Sequence, residues 1–223
     1  MILSCVGLAK IYAAERGPVE ALKGVDFEAT AGEFASIVGR SGSGKSSLLA
    51  MIGGLSRPTR GTVHVEGVEI WNLSDDRRAD FRNRRIGFVY QFASLLPTLS
   101  VIDNVALPAL IHSPRETASA YRRAHNLLDR FGLGYCNEAY PPELSSGEQR
   151  RAVIARALIN DPALLLADEP TSDLDEETER QIVDWFRSLN RERALTLIMV
   201  THNLRLAEQT DRVIPMANGR LAA

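Results

Sequence analysis

Residues 39–47 read GRSGSGKSS, a mix of glycine, hydroxyl and a single lysine that suits a polyphosphate. Glycines let the backbone wrap closely enough for its N–H groups to point at phosphate oxygens. Lys45 adds a point charge for β- and γ-phosphates, and the Ser46 hydroxyl can bind Mg²⁺. Gly39, Gly44, Lys45 and Ser46 satisfy the pattern G-x-x-x-x-G-K-[ST], with a strand-like run before it and a helix-like run after it. Arg40, Ser41, Gly42, Ser43 and Ser47 complete this candidate nucleotide-binding loop. The other lysines are Lys10 and Lys23, every remaining basic residue being arginine, so Lys45 stands out.

The run LLLADEP, residues 164–170, supplies the metal side. A carboxylate ending a buried strand beside such a loop can hold Mg²⁺ through its water shell, and Asp168 fits that place. Glu169, next in line, can orient an attacking water or take its proton. A second stretch, LSSGEQRRAVIARAL at residues 144–158, runs from a Ser/Gly turn into an Ala- and Arg-rich helical pattern. Free backbone N–H groups and the macrodipole make such helix starts attract anions. The chain therefore carries a second anion-attracting helix start about 100 residues after the first.

Strands and helices must hold these groups in place. Residues 2 to about 38 read as strands and turns, and residues 45 to about 53 as a helix with Leu48, Leu49 and Ile52 on its apolar face. GTVHVEGVEI places Val63 and Val65, then Val68 and Ile70, around Gly67, which predicts a hairpin. RIGFVYQ reads as a short strand ending at Gln91. From about residue 92 to 161 the patterns turn helical, broken by Pro and Gly, with Tyr121, Leu128 and Phe131 at helical spacings. PALLLADEP and ALTLIMVTH read as buried strands, and EETERQIVDWFRSLN as a helix with Ile182, Phe186 and Leu189 on one face. DRRADFRNRR, residues 76–85, reads as a solvated helix face.

Strand, phosphate loop, helix, then further buried strands and helices predict an α/β fold with a mostly parallel P-loop NTPase core. The expected organisation is one domain over residues 1–223. Residues 1–91 would form an antiparallel β-subdomain and the loop-bearing core, 92–161 an inserted α-helical subdomain, and 162–223 the rest of the core.

With 45% apolar residues, the 223-residue chain can bury a substantial core. A net charge of −2 and a pI near 6.1 give no ground for nucleic-acid binding driven by overall charge. Cys5 and Cys136 lie far apart and in no metal-ligand spacing, which predicts a reduced, cytoplasmic setting. The opening residues lack the basic region and long apolar run of a signal peptide, and no apolar run reaches the roughly 18–20 residues of a bilayer span. Direct membrane insertion is not expected; any membrane association would come through a partner.

In this order and spacing, the motifs resemble those of the ATP-binding subunits of ABC transporters, over essentially the whole chain. LSSGEQ, from Leu144 through Ser145, Ser146, Gly147 and Glu148 to Gln149, is similar to the family signature LSGGQ in its LSGGEQ form, with Ser146 where glycine is usual. The resemblance implies ATP and Mg²⁺ as ligands. It implies that Tyr12 stacks on adenine, with Val19 in the same ATP-binding set, and that Gln91 reaches Mg²⁺ and the attacking water. Ser172, Asp173, Leu174 and Asp175 match the D-loop, and His202 matches the switch histidine at the γ-phosphate.

The same resemblance accounts for the second helix start. Such subunits form head-to-tail homodimers, so the signature of one copy faces the phosphate loop of the other. It also implies an integral membrane partner and a place on the cytoplasmic face of the inner membrane. RIGFVYQFASLLPTLSVIDNVALPAL resembles the lipoprotein-release, macrolide-export and cell-division branch (LolD, MacB, FtsE), although TSDLD departs from the TGNLD common there. That branch implies export or extraction of a lipophilic substrate (lipoprotein, lipid, drug or peptide), or else signalling to extracytoplasmic proteins. Phe92, Leu95, Leu96 and Leu99 would either line the groove for a membrane subunit's coupling helix or pack the helical subdomain.

Overall fold

The computed structural model describes every residue except Ala14, Arg16, Ala93, Ser113, Asp173 and Ala223. Its elements run β1 (Leu3–Tyr12), β2 (Val19–Ala29), β3 (Phe34–Val38), α1 (Lys45–Ile52), β4 (Arg60–Val65), β5 (Val68–Glu69), α2 (Asp75–Arg85) and β6 (Ile86–Val89). There follow α3 (Val101–His112), α4 (Thr117–Arg130), α5 (Ser146–Leu158), β7 (Leu164–Asp168), α6 (Glu176–Arg193), β8 (Thr196–Thr201), α7 (Leu204–Ala207), β9 (Arg212–Ala217) and β10 (Arg220–Leu221).

The strands form two sheets. An antiparallel sheet has the order β2-β1-β4-β5, and a six-stranded sheet has the order β10-β9-β3-β8-β7-β6. In the second, β9, β3, β8, β7 and β6 are all parallel, and only β10 returns antiparallel at the edge. This is the α/β architecture expected from the sequence: a mostly parallel core, an antiparallel β-layer and a helical layer.

The uninterrupted apolar runs of β7 and β8 follow from coverage on both faces. Leu165, Ala167, Leu197 and Met199 pack into the core shared with α3, α4, α5 and α6. Their neighbours Leu164, Leu166, Ile198 and Val200 point the other way, into the core shared with α1 and the antiparallel sheet. Phe34 of β3 meets Phe186 of α6 edge-on, with ring centroids 6.4 Å apart. Ile182, Phe186 and Leu189 are all buried, as their spacing predicts.

The helix ends are capped locally. Ser74 caps α2, and the Asp175 carboxylate caps α6 by accepting from the Glu177 and Thr178 amides at 3.1 and 2.9 Å. Helix α2 buries no residue and carries Asp75 and Asp76 in its first turn and Arg82, Arg84 and Arg85 in its last. That distribution suits the macrodipole. The solvated face read from DRRADFRNRR is only part of the helix, however: Phe81 packs half-buried against the core, and Arg82 and Asn83 donate to the carbonyls of Gly54 and Pro108.

The structure corrects some boundaries. The strand expected to end at Gln91 ends at Val89, which releases Tyr90 and Gln91 into a loop. The hairpin after Val65 is present, but β5 has only Val68 and Glu69, and Ile70 already begins a 3₁₀ turn. Of the apolar residues after Gln91, Leu95 is in the core, Leu99 is half-buried, and Phe92 and Leu96 are exposed.

Candidate active site

The phosphate loop lies between β3 and α1, at the C-terminal end of a central parallel strand. Two of its glycines, Gly39 and Gly44, are required by close approach. A Cβ on Gly39 would stand 2.2 Å from the Met216 carbonyl oxygen. Gly44 has φ +107, and a Cβ there would lie 2.5 Å from the Ala21 carbonyl oxygen. Lys45 is buried, its ammonium donating to the carbonyls of Gly39 at 2.7 Å and Arg40 at 3.2 Å.

A cleft of about 960 Å³ opens over this loop. Arg40, Ser41, Gly42, Ser43, Gly44, Lys45, Ser46 and Ser47 line it, with Gln91, Glu169 and His202 at its far wall. Tyr12 and Val19 border it as a cross-strand pair joining β1 to β2. The exposed Tyr12 ring is braced by its hydroxyl on Ser47 Oγ at 3.4 Å and by the Lys10 ammonium, 4.9 Å from the ring centroid.

On the acidic side, Ser46 Oγ donates to Asp168 Oδ1 at 3.1 Å. Burial pushes the Asp168 carboxyl above its ordinary range, and the neighbouring Glu169 charge pushes the same way. Glu169 has φ 45, a left-handed conformation uncommon outside glycine, directly after β7. Its carboxylate is held between three groups: the His202 imidazole Nδ1 at 3.0 Å, the His202 amide at 3.3 Å and the Lys45 ammonium at 3.8 Å.

The second helix start stands apart. None of residues 144–149 is among the described residues lining the cleft of their own chain. Ser145 caps α5 in a capping box: its hydroxyl accepts from the Glu148 amide at 3.3 Å, while Glu148 Oε2 accepts from the Ser145 amide at 2.7 Å. Ser146 is exposed at the first helical position. Leu144 is in the core, and the Gln149 side chain turns back to the carbonyls of Pro141 and Leu144 at 2.9 and 3.1 Å. The start of α6 is adjacent, since a Cβ on Gly147 would lie 3.3 Å from Thr178 Cγ2. Of the D-loop positions, Leu174 packs against the helical core, Asp175 is the α6 cap, Ser172 precedes them, and Asp173 lies outside the described residues.

The capping box makes a pH prediction. Hydrogen bonds from the Ser145 hydroxyl, the Tyr135 hydroxyl and the Ser145 amide hold the Glu148 carboxyl down at about 2, from an ordinary 4.5. A value depressed by folding contributes stability above the unfolded value, lost as pH falls through the folded one. Glu148→Gln should therefore melt about 2 °C below the wild type at pH 7. That gap should close as pH falls from 4.5 through about 2. Calorimetry across that range checks it, and a constant gap down to pH 2 would remove Glu148 ionisation from the cap.

One feature of the cleft was missed in the sequence. Asn218 and Gly219, at φ 49 and 78, form the tight turn between β9 and β10 and line the cleft. The Gly219 amide donates to the Ser43 carbonyl at 2.9 Å, and the Gly219 carbonyl accepts from the Lys23 amide at 2.9 Å, tying turn, loop and β2 together. Asn-Gly is a strong hairpin signal and was legible. Also missed was Arg150, buried behind the loop that carries Gln91.

Comparison with known proteins accords with this geometry. The model of the ABC transporter family matches residues 22–172. The lipoprotein-releasing system ATP-binding protein LolD of Pseudomonas fluorescens is 45% identical over 224 residues, covering 100% of this chain and 97% of its own length. The macrolide export ATP-binding/permease protein MacB of Rhodopirellula baltica is 41% identical, covering 99% of this chain but 32% of that larger protein. Among solved structures, the dimeric ATP-binding cassette MJ0796 in a post-hydrolysis state bound to ADP and Pi superposes with a TM-score of 0.93 at 35% identity, covering 100% of this chain and 97% of that one. The chain belongs to the ABC transporter family and is an ATPase cassette of the type that includes LolD and the ATP-binding part of MacB.

Proposed function

We propose that two copies of this chain close head to tail on two ATP molecules, each held by the phosphate loop of one copy and the signature helix start of the other. The observation that carries this reading is the separation within one chain: the cleft contains the phosphate loop, Glu169 and His202, but no signature residue among those described. The solved relative described as dimeric and bound to ADP and Pi supports it.

In this reading the backbone of residues 39–44 and Lys45 bind the β- and γ-phosphates, and Tyr12 supports the base. Ser145 and the amides of Ser146 and Gly147 face the partner's γ-phosphate, beside the start of α6, whose cap is Asp175. Glu169 takes the proton of the attacking water, with His202 orienting its carboxylate and sensing the γ-phosphate. Ser46, Asp168 and Gln91 are the residues suited to Mg²⁺, a hard cation that takes oxygen ligands from one or two protein groups and from the phosphates. The raised Asp168 carboxyl fits, because a buried carboxylate gains from a cation beside it. When bound, the ion neutralises charge on the transferring phosphoryl group.

The chain folds as one ATP-binding domain in this account, with the parts 1–91, 92–161 and 162–223 serving as loop-bearing core, helical subdomain and remaining core. Among the described residues no helix is long and apolar enough to cross a membrane. The likeness to LolD and to the ATP-binding/permease protein MacB supports an integral membrane partner, docked at the cytoplasmic face on the exposed Phe92 and Leu96. The likeness to LolD and MacB favours extraction or export of a lipophilic substrate. The test is co-purification from membranes followed by reconstitution: ATP-dependent movement of a lipoprotein or lipophilic compound supports the reading. ATP turnover in the intact complex with nothing moved would replace it with signalling to extracytoplasmic proteins.

A further inference from the structure

Arg150 is 5% exposed, a charged side chain enclosed between α5 and the loop after β6. Its Nη1 donates to the Tyr90 carbonyl at 2.6 Å and its Nη2 to the Gln91 carbonyl at 2.5 Å. Farther along the same helix, Arg156 donates to the Ser94 carbonyl at 2.7 Å and to Ser94 Oγ at 2.6 Å. The backbone of the loop that carries Gln91 into the cleft is thus held from α5 by two guanidinium forks.

The position of Arg150 gives this hold a consequence. Ser146, the first residue of α5, is four residues away, so both lie on one face and within about one turn. A helix turn moves as a rigid unit, and a planar guanidinium on two successive carbonyls fixes orientation as well as distance. We infer that Arg150 is a positioning residue that sets Gln91 in the chain's own ATP site from the helix whose start serves the partner's site. Engagement of phosphate at the start of α5 displaces Arg150 and, through Tyr90 and Gln91, adjusts the Gln91 side chain. Each ATP site of the dimer is then mechanically informed of the other. The inference rests on the proposed shared site and on the role given there to Gln91.

The experiment uses the full-length protein with Arg150→Lys, Arg150→Gln, Gln91→Ala and the double variant Gln91→Ala/Arg150→Lys. Lysine keeps the charge and the buried stem but reaches one carbonyl, so Arg150→Lys decides the matter if Arg150→Gln does not fold. Expected for Arg150→Lys are an ATP KM within about twofold of wild type and a kcat about tenfold lower. Amide hydrogen exchange in the loop after Val89 should be about tenfold faster without nucleotide. The double variant should be no slower than Gln91→Ala, because both changes act through one group. Wild-type kcat and loop exchange in Arg150→Lys, beside a slow Gln91→Ala, would overturn the inference alone. Losses that multiply in the double variant would also overturn it. Gln91→Ala turning over at the wild-type rate would instead sink the reading of Gln91, and the link with it.

Discussion

Glu169→Gln will bind ATP, hold two copies together and turn over about 10²–10⁴-fold more slowly than the wild type. The geometry separates these effects. Glutamine retains an oxygen that can accept from the His202 amide and imidazole, so the left-handed turn after β7 keeps its partners. What disappears is the group that takes a proton from water. The residues that bind phosphate and base lie on other elements: the loop before α1, and the paired ends of β1 and β2. Phosphate release gives the rate, and light scattering with ATP gives the mass. A variant hydrolysing at the wild-type rate would remove Glu169 from the role of base.

Lys45→Ala will lose ATP binding instead. The ammonium is the buried cation at the floor of the cleft, and it donates to the carbonyls of its own loop at Gly39 and Arg40. Its removal leaves those carbonyls short of a donor and the Glu169 carboxylate without the cation 3.8 Å away. Charge-assisted hydrogen bonds to ions are worth about 1.5–3 kcal/mol each, so ATP affinity should fall about 10²-fold or more. Equilibrium binding of a fluorescent ATP analogue measures it; affinity within threefold of wild type would take the phosphates away from Lys45.

Much of this was legible in the sequence because it rests on local rules. Glycine spacing, one lysine and a hydroxyl placed the phosphate loop, and two-faced apolar runs placed β7 and β8. What the sequence did not yield were pairings between distant segments. The Asn218-Gly219 turn carried a hairpin signal, but its attachment to Ser43 exists only once β9 lies beside β3. Arg150 looked like one more arginine on a helix; its burial depends on the strand ending at Val89 and turning Tyr90 and Gln91 toward α5. The capping box of Ser145 and Glu148 was legible as S-x-x-E, and it shows that LSSGEQ also encodes a stable helix start. The amides of Ser146 and Gly147, ahead of the capped Glu148 amide, are the donors that remain for an anion.

The central claim is that one ATP is held by two chains. Mixing two inactive variants tests it most directly: Lys45→Ala, which removes the phosphate-loop charge, and Ser146→Asp, which puts a negative charge where the partner's phosphate would sit. Aspartate in a first helical turn suits the macrodipole, so Ser146→Asp should fold. In a head-to-tail pair, one of the two sites then combines an intact loop with an intact helix start. Random pairing makes half the dimers mixed, so the mixture should recover about a quarter of the wild-type ATPase rate. Each variant alone should be inactive in this account. Ser146→Asp turning over at the wild-type rate by itself, since its own cleft contains no signature residue among those described, or a mixture that stays as inactive as its components, would contradict the shared site.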